Sequence, residues 1–141
     1  MMLARHILVV EDSDEDFATV LDAVRRAELP NDIRRATSGD ECLQQLRLSA
    51  LKHDALPALV LLDLNTPKCD GRDALREIKQ DDRLRALPLV VLTTSANPRD
   101  LRFCYASGAN AYHVKPVQYR DHLRILEQIF DYWLKSAVLP N

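Results

Sequence analysis

No apolar run in this sequence approaches the ~20 residues that span a bilayer, and the N-terminus lacks the h-region of a secretory signal. The chain is therefore expected in the cytoplasm, away from membranes. It also lacks a charge excess: 19 Lys and Arg against 21 Asp and Glu leave a formal net charge of -2. The pairs Arg25-Arg26 and Arg34-Arg35 are too short to form a basic stripe, and both are expected on solvated faces. Nothing in this balance favours nucleic acid or an anionic surface as a partner. Cysteine is scarce and odd in number: Cys42, Cys69 and Cys104 have no metal-ligand spacing and read as reduced thiols. Cys69 reads as an ordinary loop cysteine. The four histidines are scattered, with no i, i+4 pair that would hold a metal.

What is present is organised around Ala58-Leu59-Val60-Leu61-Leu62-Asp63-Leu64-Asn65-Thr66-Pro67. Five apolar residues run into a carboxylate and a turn follows, the pattern of a strand buried on both faces of a parallel sheet. Asp63 then stands at the carboxyl end of a central strand, the edge where open α/β sheets bind ligands. Taken alone, Asp63 could equally cap the turn.

The rest of the chain repeats the pattern. His6 to Val10 reads as a buried strand leading into Glu11-Asp12-Ser13-Asp14-Glu15-Asp16. Ser13 with Asp16 starts a helix whose core stripe is Phe17, Val20, Leu21 and Val24. Ile33 to Thr37 is a weaker strand. Ser38 and Glu41 match a capping box for a helix with Cys42, Leu43 and Leu46 inward, and Leu48 to Pro57 reads as a connection. Asp70-Gly71 opens a third helix with Ala74, Leu75 and Ile78 inside. Leu87 to Leu92 forms a strand ending in Thr93-Thr94-Ser95, and Asn97-Pro98 starts a fourth helix that stops at Gly108. Thr94 and Ser95 either face the site or cap that helix. Ala111 to Val114 is a short strand before Lys115-Pro116. A last helix, from about Tyr119, carries Leu123, Leu126, Phe130 and Trp133. Strands and helices alternate five times, which argues for one α/β domain with a parallel sheet covered on both faces.

Four strand ends carry chemistry: Glu11-Asp12, Asp63, Thr93 and Lys115. All carboxyl ends of a parallel sheet lie on one edge, so these residues converge. Three carboxylates in one place need a cation, and hard oxygen ligands without His or Cys select Mg²⁺. Such a site invites phosphoryl oxygens, with Lys115 offering a point charge and Thr93 a hydroxyl. Asp63 could then attack phosphorus in line and form an aspartyl phosphate.

These motifs, in this order, resemble a response-regulator receiver domain of two-component signalling. The matching residues are Val10-Glu11-Asp12, Leu62 to Pro67 with Asp70-Gly71, Leu92-Thr93-Thr94 and Val114-Lys115-Pro116. The resemblance implies a doubly wound, flavodoxin-like (βα)5 fold with a five-stranded parallel sheet in the order 2-1-3-4-5. It implies that Asp63 is phosphorylated and that Glu11, Asp12, Asp63 and the Asn65 main-chain carbonyl hold Mg²⁺. It further implies that Thr93 and Lys115 hold the phosphoryl group and that Tyr112 is the switch aromatic. A single receiver domain over residues 1–141 is expected, with a core at about 5–135, a tail at 136–141 and no output domain. No histidine here is placed to donate a phosphoryl group, so the donor is expected on a partner histidine kinase. The long connection before Pro57, Pro67-Lys68 with Asp70-Gly71-Arg72, Glu77 to Gln80, and the ending Trp133-Leu134 to Leu139-Pro140 resemble the small regulators paired with phytochrome-type kinases.

Two other functions fit parts of the pattern. A haloacid-dehalogenase-type phosphatase needs a second carboxylate two residues after the nucleophile as general acid, and Asn65 stands there instead. A flavodoxin-type flavin site needs a Ser/Thr/Gly-rich phosphate cradle, whereas the loop after the first strand is acidic. The protein is expected to be a switch rather than an enzyme. A homodimer is also expected, through the fourth helix, fifth strand and fifth helix. In that reading Leu101, Cys104 and Tyr105 face the core and Phe103 points out. Ile125, Ile129 and Tyr132 form a second apolar line, extended by Val138-Leu139-Pro140.

Overall fold

Ile7–Val10 (β1), Leu59–Leu62 (β3) and Leu89–Thr93 (β4) are strands in which every residue is buried. Strands apolar on both faces need cover on both, and the remaining elements supply it. In the computed structural model, which describes residues 4–67 and 71–140, the edges are closed by Ile33–Ala36 (β2) and Ala111–Val114 (β5). The sheet is parallel throughout, in the order β2-β1-β3-β4-β5. Four helices connect the strands, Asp14–Arg26 (α1), Gly39–Leu51 (α2), Gly71–Gln80 (α3) and Pro98–Ser107 (α4), and Tyr119–Asp131 (α5) follows β5. The last continues into a π-helical turn, Tyr132–Ser136.

The period of two along each strand divides the core into two layers. Leu8, Val10, Val60, Leu62, Leu89 and Val91 pack with Leu43 and Leu46 of α2, Leu75 and Ile78 of α3 and Cys104 of α4. Ile7, Val9, Leu59, Leu61, Val90 and Leu92 face the opposite way, onto Val20 and Ala23 of α1 and Leu123, Leu126, Ile129 and Phe130 of α5. The expected caps form. Ser13, Ser38 and Asn97 each accept a first-turn amide, and Gly108 closes α4 in the left-handed region at φ 110°. Glu41 does not close a full capping box, because its carboxylate takes the Thr37 hydroxyl at 2.9 Å.

Helix faces depart from the sequence reading in four places. Leu21 is exposed, and Ala23 takes the inward position on α1. α2 continues through Leu51, so the connection begins only at Lys52. On α4, Leu101 and Tyr105 are exposed while Phe103 packs against the core. On α5, Ile129 is buried and Ile125 is packed beside it, because this helix lies against α1 as well as the sheet. The second apolar line on α5 is therefore largely core, with Tyr132 alone of the three exposed. Lys68, Cys69 and Asp70 lie outside the described residues.

His6, just before β1, is buried, and that burial, with Arg34 and Arg5 nearby, lowers its pKa from 6.5 to about 4. The unfolded chain binds this proton and the folded chain resists it. The contribution of neutral His6 to stability is thus fully present above pH 6.5 and lost as the pH falls through 4. Complete loss corresponds to about 3 kcal/mol. Urea titrations at pH 7 and pH 4 should show a smaller acid destabilisation for His6→Gln than for the parent. Equal acid sensitivity would assign the effect to other groups.

Candidate functional site

Strand register brings the chemistry together. Val10 pairs with Leu62, so Glu11 and Asp63 emerge side by side, and the Asp63 amide donates to the Val10 carbonyl at 3.1 Å. Thr93 pairs with Val114, and the Lys115 amide donates to the Thr93 carbonyl at 2.6 Å. Glu11, Asp63, Thr93 and Lys115 are all buried, whereas Asp12 is exposed. Oxygen atoms of Glu11, Asp12 and Asp63 lie within 4.8 Å of one another.

One ammonium ties this cluster. Lys115 Nζ donates to Glu11 Oε1 at 2.7 Å, Asp16 Oδ2 at 2.9 Å and Asp63 Oδ2 at 3.0 Å. Burial alone would lower its pKa, but the hydrogen bonds to Glu11 and Asp16 and the Asp63 charge push it well above the ordinary value. Glu11 moves the other way from most paired acids. Burial raises its pKa, Asp63 adds to the rise, and Lys115 opposes it. The second Glu11 oxygen accepts the Ser13 amide at 3.2 Å, and Asp63 Oδ1 accepts the Asn65 amide at 3.1 Å. Four carboxylates around one lysine leave the locality negative. Hard oxygens beside an exposed Asp12 fit a divalent ion that keeps part of its water shell. The donor set therefore suits Mg²⁺, which Glu11, Asp12 and Asp63 could hold.

Thr93 is fully buried, and its hydroxyl oxygen receives long hydrogen bonds of 3.4 Å from the Asn65 side chain and the Ser95 amide. Tyr112 is half-buried, and its hydroxyl donates to the Ser95 carbonyl at 2.7 Å. The residues expected at the site are thus brought to one edge.

Several contributors escaped the sequence reading. Asp16 looked like a helix-dipole residue, yet its side chain binds Lys115. Arg35 was expected in solvent but is half-buried. It stacks 4.6 Å over Phe17, pairs with Asp14 at 2.8 Å and donates to the Glu11 carbonyl at 2.9 Å. Gly71 reads in the sequence as a helix start and part of the receiver motif, without a steric role. A Cβ there would lie 2.4 Å from the Asp63 carbonyl oxygen, so only glycine lets α3 begin this close to the end of β3. Ser95 is bound to Asp100 at 2.5 Å, and Asp100 receives two bonds of 2.7 Å from Arg72. Those bonds, the Arg72 pair first, hold the Asp100 pKa at about 2.

The family model for the response regulator receiver domain matches residues 7–127. The chain belongs to this family. Among its relatives, the probable methanogenesis regulatory protein FilR2 of Methanothrix harundinacea is 41% identical over 91% of this chain and 83% of its own. Response regulator Rcp1 of Synechocystis is 35% identical over 95% of this chain and 92% of its own. The crystal structure of the phosphorylated cyanobacterial phytochrome response regulator RcpA superposes with a TM-score of 0.92 at 34% identity, covering 98% of this receiver and 99% of RcpA. Rcp1 has also been solved in a Mn²⁺-bound form, with a TM-score of 0.89 at 33% identity, covering 97% and 99%. The chain is a receiver domain resembling phytochrome response regulators.

Lys115→Ala would leave the buried carboxylates without their cation. Without divalent metal this receiver variant should lose up to about 3 kcal/mol, and Mg²⁺ should restore most of the melting temperature by supplying the missing charge. Melting curves with Mg²⁺ and with EDTA make the comparison. A variant as stable as the parent in EDTA would show that the lysine does not balance the cluster.

Proposed function

We propose that this receiver accepts a phosphoryl group on Asp63 from a partner histidine kinase, and that phosphorylation switches its affinity for other proteins. The observation carrying this reading is the convergence of Glu11, Asp12 and Lys115 on the Asp63 carboxylate at the sheet edge. An Asp63 oxygen forms the new bond to phosphorus while the bond to the donor nitrogen breaks, its electron pair returning to the imidazole. Bound Mg²⁺ would supply charge neutralisation to the phosphoryl oxygens. Glu11, Asp12, Asp63 and the Asn65 carbonyl are its proposed ligands. Lys115 would exchange part of its carboxylate contact for a phosphoryl oxygen, and Thr93 would donate its hydroxyl to another. As Thr93 turns, Tyr112 on the neighbouring strand responds to the vacated space, so this hydroxyl and ring form the bistable element.

The likeness to RcpA and Rcp1 supports a phytochrome-type kinase as the donor, in a cytoplasmic pathway. The phosphatase reading gains nothing from the site, since Asn65 cannot serve as a general acid. Incubation with acetyl phosphate and Mg²⁺ should add one acid-stable, base-labile phosphoryl group to the parent and none to Asp63→Asn. Unchanged labelling of the variant would remove Asp63 from its role.

We also propose a homodimer on the α4-β5-α5 face, with revised contacts. Leu101 and Tyr105 of α4, Val114 of β5 and Tyr132 after α5 are exposed there, at 41%, 50%, 45% and 57%. Phe103 is no longer a candidate. At micromolar concentration the parent should sediment at twice 16.1 kDa, and Leu101→Asp should return it to the monomer. A parent that stays monomeric, phosphorylated or not, would assign this face to another partner.

A further inference from the structure

Ser95 sits where three parts of the fold meet, and nearly all its polar atoms are engaged. Its amide lies 3.4 Å from the Thr93 hydroxyl oxygen, its carbonyl accepts the Tyr112 hydroxyl at 2.7 Å, and its own hydroxyl donates to Asp100 at 2.5 Å. Asp100 is in turn gripped by Arg72, whose Nε donates to Oδ1 and Nη2 to Oδ2, both at 2.7 Å. This is a fork-on-carboxylate pair, the geometry that resists rotation best. Both side chains are shielded, at 28% and 15% exposure, which sets them apart from the open surface pairs elsewhere in the chain. Arg72 belongs to the first turn of α3 and Asp100 to the first turn of α4. The pair therefore spans the two helices that bracket the loop after β4.

The cost of this arrangement shows in α4. At about 100° per residue, Asp100, Phe103, Cys104 and Ser107 share one side of the helix. That is the side turned inward, with Phe103 packed against the core and Asp100 beside it, while Leu101 and Tyr105 are exposed. The helix turns a carboxylate inward and leaves a leucine and a tyrosine in water.

We infer that the Arg72–Asp100 pair is a positioning device that fixes Ser95, and through the Ser95 carbonyl holds the Tyr112 ring in its present place beside Thr93. The pair reaches Tyr112 through Ser95, whose hydroxyl is bound to Asp100 and whose carbonyl accepts the Tyr112 hydroxyl. The consequence for phosphorylation rests on the function proposed above, but the positioning of Tyr112 does not. Without the pair, the loop after β4 is free to shift, the Tyr112 hydroxyl loses its acceptor, and the Thr93–Tyr112 element has to be organised anew at each phosphorylation.

The test uses the full chain labelled with 3-fluorotyrosine, whose four tyrosines include Tyr112. The Tyr112 fluorine resonance is assigned by its loss in Tyr112→Phe. In Arg72→Gln and in Asp100→Asn that resonance should move toward those of the exposed Tyr105 and Tyr132, while the other three stay. Acetyl phosphate with Mg²⁺ should phosphorylate Arg72→Gln more slowly by roughly two- to thirtyfold. The same substitution in a Tyr112→Phe background should add little, because the ring's hydrogen bond is already gone. A Tyr112 signal unmoved in both variants would overturn the inference, and so would rate effects that multiply independently. Unfolding of both variants would make the pair a structural tie and end it too. If the parent itself takes no phosphoryl group, the functional reading falls while the fluorine measurement still decides the positioning.

Discussion

Negative charge confined at one sheet edge is the constraint on which this structure depends. Parallel register places Glu11 beside Asp63, and the first turn of α1 adds Asp16, so carboxylates collect faster than cations. A buried carboxylate without a partner is costly, and among the described residues Lys115 is the cation that reaches into the cluster. Its three ion pairs, all at 3.0 Å or less, hold together the loops after β1, β3 and β5. The same arrangement leaves excess negative charge, with Asp12 open to water. A site balanced in this way suits a divalent ion.

Packing around the cluster serves that geometry. Arg35 braces the Glu11 carbonyl from β2, and the missing side chain of Gly71 lets α3 start against the Asp63 backbone. Farther out, Lys79 is drawn into the fold and donates to the carbonyls of Arg85 and Leu87, and burial lowers its pKa. Arg35 and Lys79 thus carry charged groups into half-buried places where each finds backbone acceptors.

Much of this was legible in the chain. Buried strands announce themselves as short apolar runs, and β1, β3 and β4 fall within a residue or two of where His6 to Val10, Ala58 to Leu62 and Leu87 to Leu92 indicate. Ser13, Ser38, Asn97 and Gly108 mark helix ends through local chemistry, which needs no tertiary contact. Helix faces were less legible. Apolar periodicity on α4 pointed to Leu101 and Tyr105, and the fold chose Asp100 and Phe103. Periodicity assumes that burial follows hydrophobicity, and it fails where a buried polar residue has a strong distant partner.

The sequence by itself determined the order of elements, the parallel sheet and the placing of Glu11, Asp12, Asp63, Thr93 and Lys115 at strand ends. Each follows from interactions local in the chain or from the shared polarity of parallel strands. Tertiary structure alone decided that Asp16 would complete the lysine's shell, that Arg72 would cross to Asp100, and that Ser95 would receive Tyr112. Those partners lie 99, 28 and 17 residues apart, and their meeting depends on helix rotation and loop path, which only the packed whole sets.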